Sequence, residues 1–481
     1  MLRSQVFSAI RWTASARMLS QIVTWAITLI VIRFLTPADY GLLAMATIFL
    51  GLLLMVADVG IGPGLVQKAE LGERELRQAF GIVLLFHLAL ATALSVFSPL
   101  IAAFFEEPRL ILIIRVLSLQ FVIGAFAIIP DAVLQRKFEF RKRSLLDLAA
   151  TVTGSLLTLT IAVAGGGVWA LVVGSVATQA FKTVGVNLLT RCLKWPVFSL
   201  SGTRQLLTAG GQVTLSQIIW SVFVQADAFI AGKWLGKEVL GYYSLSMHLA
   251  SLPTQRISAL ISQVAFPAFS RIQHDVPKVA ANTLLGVRML SLVTFPVLWG
   301  MSSVAPEIVK AILGLKWVEA ILPLQILTLV MPLRTIGNFL ANPIAGLGRF
   351  DVGLANVVVV FFIMVPAFAV GVQWGLMGLC FAWLIGMPFV FFATMWQNMR
   401  VIEVPLYSLL ASMVRPAIAA SVMYGVVVVC RTTVFAHIAD LTRLILLIVV
   451  GGLAYGAITL LLNKKGLVEA IDLFKGIVGQ R

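Results

Sequence analysis

From Trp12 to Leu462 the chain is a succession of apolar stretches, each about 20 residues long and parted from the next by a short polar connection. As a helix, a stretch of that length crosses ~30 Å of hydrocarbon, and only helices or closed barrels satisfy their own backbone amides inside a bilayer. The stretches are continuous rather than alternating between apolar and polar residues, which predicts helices and not barrel strands. Composition removes the alternative of a large soluble core. Of 481 residues, 60% are hydrophobic and 12% charged, with a mean hydropathy of +1.00, whereas soluble domains run at about half and a quarter. The expectation is an all-α polytopic membrane protein of about 14 transmembrane helices, with no room for a soluble catalytic domain.

The first seven predicted spans are Trp12–Leu35, Tyr40–Val66, Ala79–Phe105, Leu110–Leu134, Ser144–Ala164, Val168–Leu189 and Leu206–Ala231. The second seven are Val239–Phe269, Ala280–Val304, Val318–Ala341, Val352–Val372, Leu376–Met399, Tyr407–Cys430 and Leu441–Leu462. Trp12–Leu35 follows a basic N-terminus directly and reads as a retained first span, not a cleavable signal. Residues 67–78 and 190–205 have the pattern of amphipathic surface helices.

The formal net charge of +16 sits mainly in the short connections, where a positive-inside bias accounts for it and a nucleic-acid partner is not needed. With both termini cytoplasmic, that side holds Arg136, Lys137, Arg141, Lys142 and Arg143, then Arg191, Lys194, Arg204, Arg271, Arg349 and Arg400. Asp131 and Asp147 flank the densest run as charge balance. Cys192, Cys380 and Cys430 make no metal or disulfide pattern. The histidines His87, His248, His274 and His437 are scattered, and there is no phosphate-binding glycine loop. These features disfavour a membrane-embedded polysaccharide polymerase or ligase and intrinsic ATP hydrolysis; no cofactor or metal is expected.

Short similarities recur in order along the two halves. Leu19-Ser-Gln-Ile22 returns as Leu215-Ser-Gln-Ile218, the corner Asp39-Tyr-Gly41 has a counterpart in Gly241-Tyr-Tyr243, and Lys137-Phe-Glu139 matches Arg349-Phe-Asp351. Repetition of this kind predicts two six-helix lobes of the same orientation, over 1–190 and 206–400. A cytoplasmic linker over 191–205 joins them, and two further transmembrane helices with a cytoplasmic tail fill 401–481.

Arg33-Phe-Leu-Thr-Pro-Ala-Asp-Tyr-Gly41, Asp58-Val-Gly-Ile-Gly62, Val66-Gln-Lys68, Gly165-Gly-Gly-Val-Trp-Ala-Leu171 and Gln225-Ala-Asp-Ala-Phe-Ile-Ala-Gly232 carry a family resemblance. Through them the chain resembles Wzx-type polysaccharide flippases of the multidrug/oligosaccharidyl-lipid/polysaccharide exporter superfamily. The resemblance implies the MATE-like fold of that superfamily, two lobes facing a central cavity, and alternating access. It also implies a cargo: an oligosaccharide on a polyprenyl diphosphate, flipped from the inner to the outer leaflet of a bacterial plasma membrane for exopolysaccharide, capsule or O-antigen assembly. Expected partners are that cargo, membrane lipids, and a polysaccharide polymerase and export machinery.

Candidate cavity residues are polar groups at helical spacing inside apolar spans. Span one carries Thr13, Arg17, Gln21, Thr24 and Thr28; span seven carries Gln217, Ser221 and Gln225; span eight carries Ser244, His248, Ser251, Gln255, Ser258 and Ser262. Steps of three or four residues place each set on one helix face. A plainer alternative is interhelical hydrogen bonding. Arg17, Arg256, Arg288 and Arg334 are the basic candidates, because an intramembrane charge costs about 2.5–3.5 kcal/mol at mid-span unless paired or hydrated. A guanidinium fork suits a diphosphate. Asp58 and Asp227 are candidates for coupling to H+ or Na+, with a structural pairing to a nearby arginine as the alternative. A multidrug/cation antiporter of the same superfamily would call for acidic cavity groups; a lipid II flippase would share the lobes.

Overall fold

The computed structural model describes residues 21, 23–57, 72–137, 139–190, 196–197, 211–464, 466 and 469. Among them every regular element is helical. The helices are α1 (Val23–Phe34), α2 (Pro37–Ala57), α3 (Glu73–Phe105), α4 (Leu110–Arg136), α5 (Phe140–Val163), α6 (Val168–Thr190) and α7 (211–235). They continue with α8 (237–271), α9 (Val276–Ser303), α10 (Ile321–Gly346), α11 (Phe350–Gly371), α12 (Gly375–Ile402), α13 (Leu406–Thr433) and α14 (Asp440–Leu462).

Eleven stretches are long and apolar enough to cross a membrane. Two of them hold two helices each: the 43 residues of Ser216–Ser258 and the 53 residues of Phe350–Ile402. The first is divided at Gly236, where φ is 77°, and the second by the 3-10 turn Val372–Trp374 before Gly375. With α1 as the described end of the first span, this is the helix content the apolar runs predict. Large apolar side chains face outward, with Leu461 84% and Leu453 71% exposed. Such surfaces suit acyl chains and not water, so the chain is a multi-pass membrane protein.

One expectation changes. The surface helix over 67–78 is, in its described part, the opening of α3, which begins at Glu73 and runs unbroken to Phe105. The surface helix over 190–205 lies almost wholly outside the described residues.

The described chain divides into two compact units. One is Met1–Gly211 with Gly236–Gly241; the other is Gln212–Leu235 with Tyr242–Arg481. In the first unit α3 packs on α4, α4 on α6, and α5 on α6. Its family-like motifs are helix caps. Thr36 precedes α2, Pro37 is its first residue, and Asp39 returns to the cap: Asp39 Oδ2 accepts from Thr36 N at 2.9 Å and Thr36 Oγ1 at 2.7 Å. The other oxygen, Oδ1, accepts from Val168 N at 3.0 Å and so caps α6. Gly167 permits the approach, since a Cβ there would lie 2.9 Å from that oxygen. One carboxylate therefore holds two helix starts. Asp39→Ala is expected to lower stability by ~2 kcal/mol, read as the thermal midpoint in detergent, with Asp39→Asn recovering part of it. A midpoint equal to wild type would show that the caps carry nothing.

Elsewhere in this unit Asp131 takes a bidentate pair from Arg143 at 2.7 and 2.8 Å, and Asp147 pairs with Lys182 at 2.9 Å. The segment Gly236–Gly241 crosses Pro37–Gly41 at close quarters. A Cβ on Gly41 would lie 1.7 Å from the Lys237 carbonyl oxygen, and one on Gly241 would lie 1.8 Å from that of Pro37. Lys237 Nζ also meets Glu107 Oε2 at 2.5 Å.

The second unit has its main apolar core among Phe269, Val287, Phe295, Ile336, Phe339, Phe391 and Met395. Helix α13 contributes Leu409, Met413 and Ala420 to that same core, and α14 packs on α13. Between α9 and α10 the chain passes through a short π-helix, Ile308–Leu313, and a 3-10 turn, Leu315–Ala320. Glu307 beside it is 1% exposed and is paired with Arg443 at 3.2 Å, which ties the start of α14 to this connection.

Candidate functional site: a cavity in the second unit

Four helices of the second unit enclose a cavity of ≈ 520 Å³. Each presents one face to it. Helix α7 gives Ser216, Gln217, Trp220 and Phe223; α10 gives Arg334, Asn338, Ala341 and Ala345. Helix α11 gives Gly353, Asn356, Val357 and Val360, and α12 gives Trp383, Met387, Val390, Thr394 and Asn398. Most successive positions on each helix are three or four residues apart, which is the stripe a helix offers to one neighbour. The room comes from small residues: a Cβ added at Gly337 or Gly353 would meet nothing within 4 Å. Arg334, inside α10, and Arg349, in the turn between α10 and α11, both line the cavity.

Arg334 is the chemically active group here. Its guanidinium carbon lies 5.2 Å from the centroid of the Trp383 ring, a cation–π arrangement. None of its N–H donors meets a hydrogen-bonding acceptor among the described residues, although the charge of Asp227 acts on it. Trp383 is itself fixed. Its Nε1 donates to Tyr243 Oη at 2.8 Å, and Tyr243 donates to Asp227 Oδ2 at 2.6 Å. Asp227 Oδ1 accepts from the Ala228 amide at 2.7 Å. Phe368 and Phe223 crowd the same indole at 5.2 and 6.1 Å between ring centroids. Asp227, Tyr243 and Trp383 are all buried, so this chain of bonds is a rigid mount with Arg334 at its cavity end.

The remaining polar lining is amide. Asn356 Nδ2 donates to Asn398 Oδ1 at 2.7 Å, which leaves Asn356 Oδ1 buried with no partner. Asn338, one turn from Arg334, and Gln217 have no hydrogen-bond partner among the described residues. Arg349 differs from Arg334. It makes a bidentate pair with Asp351, both bonds at 2.9 Å, and those hydrogen bonds hold the Arg349 guanidinium above its ordinary pKa.

Of the residues singled out in the sequence, Gln217 and Arg334 line this cavity and Asp227 stands behind it. Asp227 is not at a helix end, because α7 continues to residue 235. Arg288 lies elsewhere, in an ion pair with Glu469 at 2.6 Å. His248, Gln255 and Arg256 share the exposed side of α8, where Gln255 Nε2 donates to Ser251 Oγ at 3.1 Å. Gln21 is half-buried in the first unit. Arg17 and Asp58 lie outside the described residues. Trp220, Asn338, Asn356, Trp383 and Asn398 were not legible as cavity residues from the sequence. The signal was present in their helical spacing, but aromatic and amide side chains are not as conspicuous in an apolar span as an arginine.

The family described as polysaccharide biosynthesis protein matches residues 30–322. The chain is 26% identical over 378 residues to lipopolysaccharide biosynthesis protein WzxC of Escherichia coli (strain K12), covering 77% of this chain and 76% of that one. It is 23% identical over 446 residues to succinoglycan biosynthesis transport protein ExoT of Rhizobium meliloti (strain 1021), covering 92% and 90%. Among solved structures it shares its fold with lipid II flippase MurJ in an inward closed conformation, at a TM-score of 0.73 and 13% identity, over 93% of this chain and 98% of that one.

Proposed function

The chain belongs to the polysaccharide biosynthesis protein family, and from that premise we propose that it flips polyprenyl-diphosphate-linked oligosaccharide repeat units from the inner to the outer leaflet by alternating access. The observation that supports this reading best is Arg334, a membrane-embedded guanidinium with unspent donors in a cavity lined by amides and indoles. A hydrocarbon-only cargo gives such a group nothing to bind, whereas the oxygens of a glycolipid accept from its donors. The names of the relatives, one a lipopolysaccharide biosynthesis protein and one a biosynthesis transport protein, are in keeping with a glycan cargo.

In this reading the protein sits in a bacterial plasma membrane with cytoplasmic termini, supplies exopolysaccharide, capsule or O-antigen assembly, and hands its cargo to a polymerase and export machinery. It is a transporter and not an enzyme. Arg17 and Arg256 serve the diphosphate, Arg256 from the exposed polar side of α8 beside His248 and Gln255. Asp58 or Asp227 couples transport to H+ or Na+.

The test is translocation in vesicles reconstituted with the purified chain. A polyprenyl-diphosphate oligosaccharide carrying a fluorescent sugar should reach the far leaflet with wild type, and Arg256→Ala should slow it about tenfold, the loss of one charge-assisted contact to phosphate. Uptake of organic cations without movement of the glycolipid would replace the flippase with a cation antiporter. Equal movement of lipid II and of the host's repeat unit would broaden the cargo.

A further inference from the structure

We propose that the cavity between α7, α10, α11 and α12 is a sugar subsite: it seats a pyranose ring of the glycan on Trp220, with Arg334, Asn338 and Gln217 hydrogen-bonding the hydroxyls, while the diphosphate binds elsewhere. The proposal rests on the transport reading and goes beyond it, since it divides the cargo between two places and assigns this one to sugar.

Its volume of ≈ 520 Å³ falls in the range of small-molecule sites. Its unspent groups exclude a purely apolar occupant. An isoprenoid segment would leave the Arg334 donors, the Asn338 amide and the buried Asn356 Oδ1 without partners. Hydroxyl groups, each a donor and an acceptor, answer guanidinium and carboxamide together.

Charge excludes the diphosphate. Asp227 acts on Arg334 from behind Tyr243, and the Arg349 fork is spent on Asp351. Arg334 has an acidic neighbour and the Arg349 fork is taken, so a diphosphate would find no guanidinium in this cavity free of a competing carboxylate. A sugar ring brings polarity without that charge.

Trp220 supplies the remaining element. It is half-buried, three residues from Gln217 on the same face of α7, and it leans on Phe223 at 5.3 Å and 48° between rings. A flat indole face held in this way matches the C–H face of a pyranose, while its rim leaves the hydroxyls to the polar groups. Trp383 cannot play that part, because Arg334, Phe368 and Phe223 already occupy its surroundings. It is a positioning residue for Arg334.

The full chain in lipid nanodiscs would be titrated with two probes: the host's lipid-linked repeat unit, and the same polyprenyl diphosphate without sugar. Wild type should prefer the glycosylated probe by about tenfold. Gly337→Leu starts a side chain on the cavity wall where a Cβ meets nothing within 4 Å, so it takes up part of the cavity. That variant and Trp220→Ala should erase the preference while leaving affinity for the bare lipid within about twofold. Asn338→Ala, a smaller change, should reduce the preference in the same direction. Variants that keep the full preference overturn the subsite and leave the transport reading standing. So does a wild type that binds both probes equally. Loss of bare-lipid affinity in Gly337→Leu would make the cavity a seat for the isoprenoid or the diphosphate, also overturning the proposal. A wild type that binds neither probe overturns the transport reading, and the subsite with it.

Discussion

Gly41→Ala should cost ~3 kcal/mol of stability and abolish translocation, although it adds one methyl group. The new Cβ would lie 1.7 Å from the Lys237 carbonyl oxygen and 2.6 Å from its carbon, and both are backbone atoms that no rotamer change can move aside. Gly241 meets the same limit from the other strand of the crossing, where a Cβ would fall 1.8 Å from the Pro37 carbonyl oxygen. The two glycines let Gly236–Gly241 lie directly against Pro37–Gly41, and Lys237 then reaches Glu107 at 2.5 Å. Alanine at either place must lift the segment away, and the ion pair goes with it. Gly241→Ala should therefore reproduce the phenotype. Gly425→Ala is the control: a Cβ there meets nothing within 4 Å, and the helix should gain a few tenths to ~1 kcal/mol. Thermal melts in detergent and vesicle translocation read both effects. Wild-type melting and transport by Gly41→Ala would show that the crossing relaxes freely and is not needed.

The corner residues at this crossing show how far the sequence can be read. Asp39-Tyr-Gly41 and Gly241-Tyr-Tyr243 are legible as similar corners in the two halves. Similarity says that two stretches are alike; it does not say that Gly41 lies against Lys237 and Gly241 against Pro37, as they do here. Thr36-Pro-Ala-Asp39 is legible as part of a family motif. That its carboxylate also caps α6, through the amide of Val168 129 residues away, depends on packing that no local pattern encodes. The helices themselves were legible almost to their ends, because each must be apolar over about 20 residues whatever its neighbours are.

The cavity is legible by half. Arg334 and Gln217 stand out because polar groups in an apolar span are costly and call for an explanation. Arg288 stands out for the same reason, yet its explanation is Glu469, 181 residues on in the tail. Sequence marks the cost and not the partner that offsets it. Trp383 and Asn398 are not conspicuous in the sequence, although they bound the run Trp383, Met387, Val390, Thr394, Asn398 on one face of α12. An indole is at home in a membrane, so nothing local distinguishes one that carries an arginine from one that meets lipid.

Tyr243→Phe should be the most damaging loss of a single atom in the second unit, at ~3 kcal/mol, because that oxygen serves two buried partners at once. Without it Asp227 Oδ2 loses the donor now at 2.6 Å, and Trp383 Nε1 loses the acceptor at 2.8 Å. A buried neutral group left unpaired costs about 1–3 kcal/mol and a charged one more. Asp227 keeps its bond from Ala228 and a weaker interaction with Trp383, and neither group can turn to water, since Asp227 is 5% and Trp383 3% exposed. Removing both ends should be milder than the sum. The double variant Asp227→Asn with Tyr243→Phe takes away the charge that made the missing donor expensive, so a coupling of ~1–2 kcal/mol is expected in the cycle. Trp383→Phe separates the mount from its load: it keeps an aromatic face for Arg334 but no N–H for Tyr243, so Tyr243 and Asp227 stay bonded to each other. It should melt closer to wild type than Tyr243→Phe does, and should still lose glycolipid transport, because the ring under Arg334 is no longer held. Full transport by Trp383→Phe would show that Arg334 works without a fixed platform, and the Asp227–Tyr243–Trp383 chain would then be a device for stability alone.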